Sequence, residues 1–357
     1  MMLTVTGIFS IINENGLVMK QINDNKAKYN NIESAFLLYC KDSLFKRTLN
    51  LDGSFVLYDS VNSSRMIFSM EQWGLYEQVA IECTGGYPRS TRLIGNKFPF
   101  KEDGSLYYAC SNNGLSLTGK SVLEGKLFVP PQGISTKQLK SDFFRGKKPD
   151  KRKIEMVPRS MMPAPRMEIR AYTDSLFGAG ISDSLVIVGG RLYIDCHTQI
   201  EDHTIIIANS VTVGKGANLC AQIFAADTII LENDVIMRYP SGLFINRKSP
   251  SRYMEIGNGC IVNGYTIVDG DGDCNIRYPN YNLKNGAVVR GLVYVNGVSK
   301  MAGTVNGAVV LNNSALFLEN EYYNHTLHNF VLLENKDLAY PTWLETDYGK
   351  KEAVWLN

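Results

Sequence analysis

Histidine, tryptophan and unbalanced charge are all scarce in this chain. Four histidines and three tryptophans are spread over 357 residues, which leaves few places for histidine-based catalysis or metal binding. Lys and Arg number 37 against 35 Asp and Glu, a net charge of +2, so there is no global attraction to nucleic acid or anionic lipid. The seven cysteines include no CxxC pair, which removes the usual spacing of zinc and dithiol sites, and an odd number cannot all pair within the chain. The opening run MMLTVTGIFSII stops at Asn13, short of the roughly 20 apolar residues that span a bilayer. It also lacks the basic leader and small-residue cleavage site of a signal peptide. The expectation is a cytoplasmic chain, or one whose upstream membrane segment is missing from the sequence.

What is present is rhythm. Apolar pairs flanking one residue recur at Ile205/Ile207, Val211/Val213, Ala217/Leu219, Ile223/Ala225, Ile229/Leu231 and Val235/Met237. A fixed short period is the signature of a β-solenoid, each short strand forming one side of a coil. The spacing therefore predicts a mainly β fold, a single-stranded β-helix over 114–315. Its first coil runs through Leu117, Leu123 and Val129. The rhythm stops over 135–182, where FFRGKKPDKRK and VPRSMMPAPRM carry prolines and charges that favour solvent over sheet interiors. It returns through Val188, Ile194 and Ile200, continues to Leu243, and resumes at Ile256, Val289 and Val305 around an insertion at 269–282. Cys196, Cys220 and Cys260 read as small apolar fillers of a narrow coil.

Ahead of the repeat, Ile22, Tyr29, Ile32, Ala35, Phe36, Leu37, Tyr39 and Leu44 fit an amphipathic helix over about 21–45. The β-rich stretches 54–59, 65–70, 74–83 and 106–110 supply an antiparallel sheet for it, giving an α+β cap domain over 1–113. Beyond the repeat, 316–357 reads as a capping segment, because an open solenoid end exposes strand edges.

The alternation in TIIIANSVTVGKGANL resembles the polymer-forming β-helical proteins known as bactofilins and, more distantly, the hexapeptide-repeat acyltransferases. The phrases SMEQWGLYEQV, LTGKSVLEGKLFVP, GLVYVNGVSKMAGTVNGAVV and the final VWL resemble an uncharacterised group of bacterial envelope proteins. In that group a single membrane helix and a pilin-like α+β segment precede a β-helix. The resemblance implies an extracytoplasmic, cell-envelope location and transfers no catalytic residue.

Candidate chemistry is thin. His197 and His203, six apart, fall at equivalent points of successive coil sides and read as turn residues. His325 and His328 in NHTLHN would share a helical face at i and i+3, but no third metal ligand stands at a matching spacing. Asp269, Asp271 and Asp273 begin a calcium-loop pattern that fails at Cys274 and Asn280, leaving a weak metal candidate at most. A carbohydrate groove would draw on Arg238, Tyr239, Phe244, Arg247, Lys248, Arg252 and Tyr253, with Asp227, Tyr278 and Tyr281 nearby, yet no pair of carboxylates at a glycosidic distance can be picked out. The basic run Lys147, Lys148, Lys151, Arg152 and Lys153 is ordinarily a solvated loop. No cofactor is implied. The reading is a non-catalytic structural or assembly protein of the cell envelope, its partners being envelope assembly proteins or further copies of itself. The competing reading is a carbohydrate-binding or polysaccharide-degrading protein, with surface polysaccharide as partner.

Overall fold

A computed structural model describes residues 2–41, 45, 49–50, 52–57, 65–101, 103–110, 113–140, 142–157, 162–163, 165, 186–245, 252–270, 278–344 and 349–355. The chain divides into two compact units, one of residues 1–95 and 349–357 and one of residues 96–348.

In the first unit the helix α1 (Met2–Lys41) precedes the strands β1 (Ser54–Phe55), β2 (Met66–Trp73), β3 (Tyr76–Cys83) and β4 (Arg89–Asn96). These four pair as an antiparallel meander. Ile32, Ala35, Phe36 and Tyr39 of α1 are buried in a cluster with Phe55, Met66, Val79, Ile81 and Ile94 of the sheet. The helix starts at Met2, well before the expected 21. Leu17, Val18, Met19 and Ile22 are exposed there, so burial imposes no period by which the start could be read.

The second unit opens with β5 (Gly104–Tyr108), β6 (Leu115–Thr118), β7 (Val122–Leu123), β8 (Lys126–Val129), β9 (Ile134–Thr136) and β10 (Ile154–Met156). There follow β11 (Val186–Ile194), β12 (Thr204–Val213), β13 (Asn218–Leu219), β14 (Ala221–Leu231), β15 (Ile236–Ile245) and β16 (Tyr253–Ile256). The series continues with β17 (Ile261–Val268), β18 (Tyr281–Leu283), β19 (Val288–Met301), β20 (Thr304–Leu318), β21 (Glu321–Asn324), β22 (Thr326–His328) and β23 (Val331–Leu333). Last, β24 (Lys350–Trp355) returns to the first unit and lies beside β4 as the fifth strand of its sheet.

The mainly β character expected from the sequence is present, but the single-stranded β-helix is not; the solenoid and repeat reading is corrected to a closed ring of six parallel strands with accompanying sheets. The ring runs β14–β15–β17–β19–β18–β16 and back to β14. Closure follows from strand length. A solenoid side of two or three residues would meet one neighbour above and one below. Here β14 pairs through Gln222–Ala225 with β15 and through Thr228–Leu231 with β16, while β19 pairs through Val288–Val295 with β17 and through Tyr281–Leu283's partners Ser299–Met301 with β18. The bactofilin-like architecture falls with the solenoid. The stretch 106–110, assigned above to the antiparallel cap, instead contributes β5, which is parallel to both β20 and β8.

The strands stack in register, and that register makes the core. Ile206, Ile223, Leu243, Thr266, Val293, Val309, Leu106 and Leu127 lie side by side across successive strands. All eight are fully buried. One residue along, Phe224, Phe244, Ile267, Tyr294, Val310, Tyr107 and Phe128 form a second row pointing the other way, also buried. Parallel strands covered on both faces read as continuous apolar runs, which is why IIIA, GLVYV and GAVVL show no polar alternation. Over the second row, Trp343 packs edge-on at 5.7 Å from Phe244 and 4.6 Å from Tyr294.

One column of the parallel sheet demands glycine. Ser241, Gly264, Gly291 and Gly307 pair in register, and the three glycines adopt φ of +143°, +148° and +149°. A Cβ on each glycine would fall on the carbonyl oxygen of the preceding member, so none of these three positions admits a side chain.

Candidate ligand-binding face

On the strands of one wall, alternation decides what faces outward. In β16 Met254 and Ile256 are buried while Tyr253 and Glu255 are half-buried; in β18 Tyr281 and Leu283 are buried and Asn282 is half-buried. Register then lines up Tyr193, Thr212, Ile230, Glu255, Asn282 and Lys300 in one outward row, with Ser210, Thr228 and Tyr253 beside it.

At the centre of this row a polar cluster is bonded to itself. The Tyr253 hydroxyl donates to Glu255 Oε2. Asn282 Nδ2 donates to the same oxygen at 3.0 Å and to the Tyr253 hydroxyl oxygen at 3.4 Å. Lys284 Nζ stands 2.5 Å from Glu255 Oε1. Burial, reinforced by the bond to Glu255, pushes the Tyr253 phenol up to about 12. Burial also pushes Glu255 upward, but the bonds from Lys284, Tyr253 and Asn282 outweigh it and hold the carboxyl below its ordinary range. Close by, Ser210 Oγ donates to Asp227 Oδ1 at 2.7 Å.

The groove candidates do not converge. Arg238 is ion-paired with Asp202 and flanks the short ladder of Ile236 and Met237. The Tyr239 hydroxyl donates to the Ala339 carbonyl at 3.4 Å, and Phe244 is buried beneath Trp343. Arg252 is buried, its carbonyl accepting from Asn280 Nδ2 at 3.3 Å. Of the described candidates, Tyr253 alone belongs to the outward cluster. Arg247 and Lys248 lie outside the described residues, as do Asp271 and Asp273. The remaining metal candidate, Asp269, donates its backbone N–H to the Ile245 carbonyl. Among the described residues no three His, Cys, Asp or Glu side chains gather around a point where a metal could sit.

The histidines separate in the same way. His325 and His328 are not on a helix: the first has φ +54° and the second ends β22. His325 Nδ1 lies 2.8 Å from the Tyr108 hydroxyl, whereas His328 Nε2 lies 3.0 Å from Asp142 Oδ2. Partial burial holds the His325 imidazole below its usual value. His197 stands in a turn closed by the Asp195 carboxylate, which accepts from the His197 and Thr198 N–H groups at 2.8 Å. That turn borders an open depression of about 750 Å³ lined by Cys196, His197, Thr198, Gln199, Ile200, Glu201 and Asn218, with Glu201 the one carboxylate among the described residues that line it. The basic run is a solvated loop tied down locally, Arg152 to Asp150 and Lys153 to Glu334.

Sequence reasoning missed Glu255, Asn282, Lys284 and Lys300. The signal was the alternation in YMEI and YNL, which names the outward residues but not the register that brings β16 beside β18. No described helix is long and apolar enough to cross a membrane. Comparison with family models, curated proteins and solved structures returns no match.

Proposed function

We propose that this protein is a non-catalytic structural or assembly element of the bacterial cell envelope, working with envelope assembly proteins or with further copies of itself. The observation that carries the reading is the state of the outward cluster. A glycosidic general acid needs a carboxyl whose proton is held near neutral pH, and glycosidases set two carboxyls across the bond. Glu255 is held the other way, below its ordinary range, by three donors already in place. A tyrosine base needs a lowered phenol, and Tyr253 is raised. Both groups are engaged in fixing the face. The envelope location rests on the resemblance set out above. Fractionation of cells expressing the chain tests it: the protein is expected to sediment with the envelope in assemblies larger than a monomer, and recovery as a free monomer in the cytoplasmic fraction would overturn it.

A second reading, binding of surface polysaccharide without turnover, is favoured by one observation. Tyr193, 63% exposed, stands beside Thr212 at the end of a row that continues through Ile230 to Glu255 and Asn282, an aromatic ring on the same face as hydrogen-bonding side chains. Such a combination suits a sugar, whose apolar face stacks while its hydroxyls bond. Binding to immobilised envelope polysaccharide that falls with Tyr193→Ala would support it, and equal retention of the two proteins would remove it.

A further inference from the structure

The fifth strand of the first unit's sheet comes from the far end of the chain. The unit is built from residues 1–95 and 349–357, so β24 reaches its slot from outside the stretch that forms the rest of the unit. Two of its side chains, spaced to face the same way, enter that slot as charges. Lys350 Nζ pairs with Glu77, donates to the Tyr39 hydroxyl at 2.7 Å and lies 4.6 Å over the Tyr39 ring. Glu352 Oε2 accepts from Arg92 Nη1 at 2.8 Å. The receiving side chains are buried: Glu77 is 5% and Arg92 3% exposed. Tyr39 donates to Glu77 at 2.6 Å, and Arg92 is further held by Glu33 and by the Phe36 ring, so the slot is preformed on α1, β3 and β4.

A slot of this kind reads charge and register together. Slipping β24 by one residue would present Lys351 and Ala353 to Glu77 and Arg92, leaving the buried guanidinium without its tail carboxylate. The bonds it offers depend on the tail and not on which chain carries it. An unfilled β4 edge is a template for pairing, and the tail of a second copy carries the same Lys-x-Glu code.

We propose that β24 is a charge-coded exchange strand, able to fill the β4 edge of a second copy of this chain and so to link copies reciprocally. This rests on the assembly reading and names its contact. In an isolated molecule the tethered strand has the advantage of effective concentration, so exchange is expected when copies fold together at high density. Exchange between identical protomers keeps every native bond.

Reversed charges test it. Glu77→Lys and Lys350→Glu each mispair within one chain, yet when the two are co-expressed with different tags reciprocal exchange restores Lys–Glu pairs in both slots. The expected result is a complex of twice the single-chain mass carrying both tags, absent when either variant is made alone, while Glu77→Lys/Lys350→Glu in one chain returns to single mass and parental melting. If the single variants are insoluble alone, rescue of solubility on co-expression is the same readout. Separate or still insoluble variants beside a well-folded double variant would overturn the proposal. Should the double variant itself fail to fold, two differently tagged wild-type chains co-refolded at high concentration decide: a mixed-tag dimer supports exchange, and single-tag monomers alone refute it. Wild-type self-association that survives in the charge variants would refute exchange while leaving assembly standing.

Discussion

The two units solve the problem of strand register by opposite means. In the second unit, rows of apolar side chains meet like with like across parallel strands, and a column holding three glycines lets neighbouring backbones approach closely. In the first, a short antiparallel sheet is completed by a strand whose place is fixed by ion pairs to two buried side chains, Glu77 and Arg92. Apolar rows are tolerant of which residue sits where, provided volume is kept, whereas a buried charge is costly unless its partner is present. The first device favours permanence and the second favours recognition.

The comparison can be broken from either side, and the largest effect is expected at the glycine column. Gly291→Ala puts a methyl on the Gly264 carbonyl at a φ that L residues avoid, and should cost more than ~4 kcal/mol, seen as loss of soluble folded protein. Next is Trp343→Ala, which uncovers Phe244 and Tyr294 and should lower stability by ~3–5 kcal/mol in denaturant titration. Lys350→Ala leaves Glu77 buried without its lysine and should cost ~3 kcal/mol, with hydrogen exchange rising in β3, β4 and α1 and unchanged in the ring. A smaller effect depends on pH. His325 has a folded value below its unfolded value of about 6.5, so its contribution is complete above that pH and declines as pH falls through it. The melting temperature should therefore drop between pH 7.5 and 5.5, and by less in His325→Asn.

How much of this could be read from the sequence follows from the same contrast. The mainly β character was legible because Ile, Val and aromatic residues crowd the second unit. The ring was not, since the step of six in Ile223, Ile229 and Val235 records the spacing of inward residues and is silent on whether β14 continues through Asp227 to take a second partner. In the first unit, Phe36 and Tyr39 announced the buried face of α1. Nothing local in KKEAVW tells that its Lys and Glu answer Glu77 and Arg92, because that pairing spans more than 250 residues. The outward cluster was hidden for the same reason: Glu255 and Asn282 become neighbours only once β16 and β18 align.

The central claim, that the outward face is bonded to itself and not poised for chemistry, is tested most directly by Glu255→Gln. Parent and variant would be incubated with neutral and acidic envelope polysaccharides while new reducing ends and unsaturated products are followed. The account predicts no product from either protein and a stability loss in the variant of about 1 kcal/mol, because the amide oxygen still accepts from Tyr253 and Asn282 and only the ion pair to the partly exposed Lys284 is lost. Product formed by the parent and abolished in an equally folded variant would contradict it.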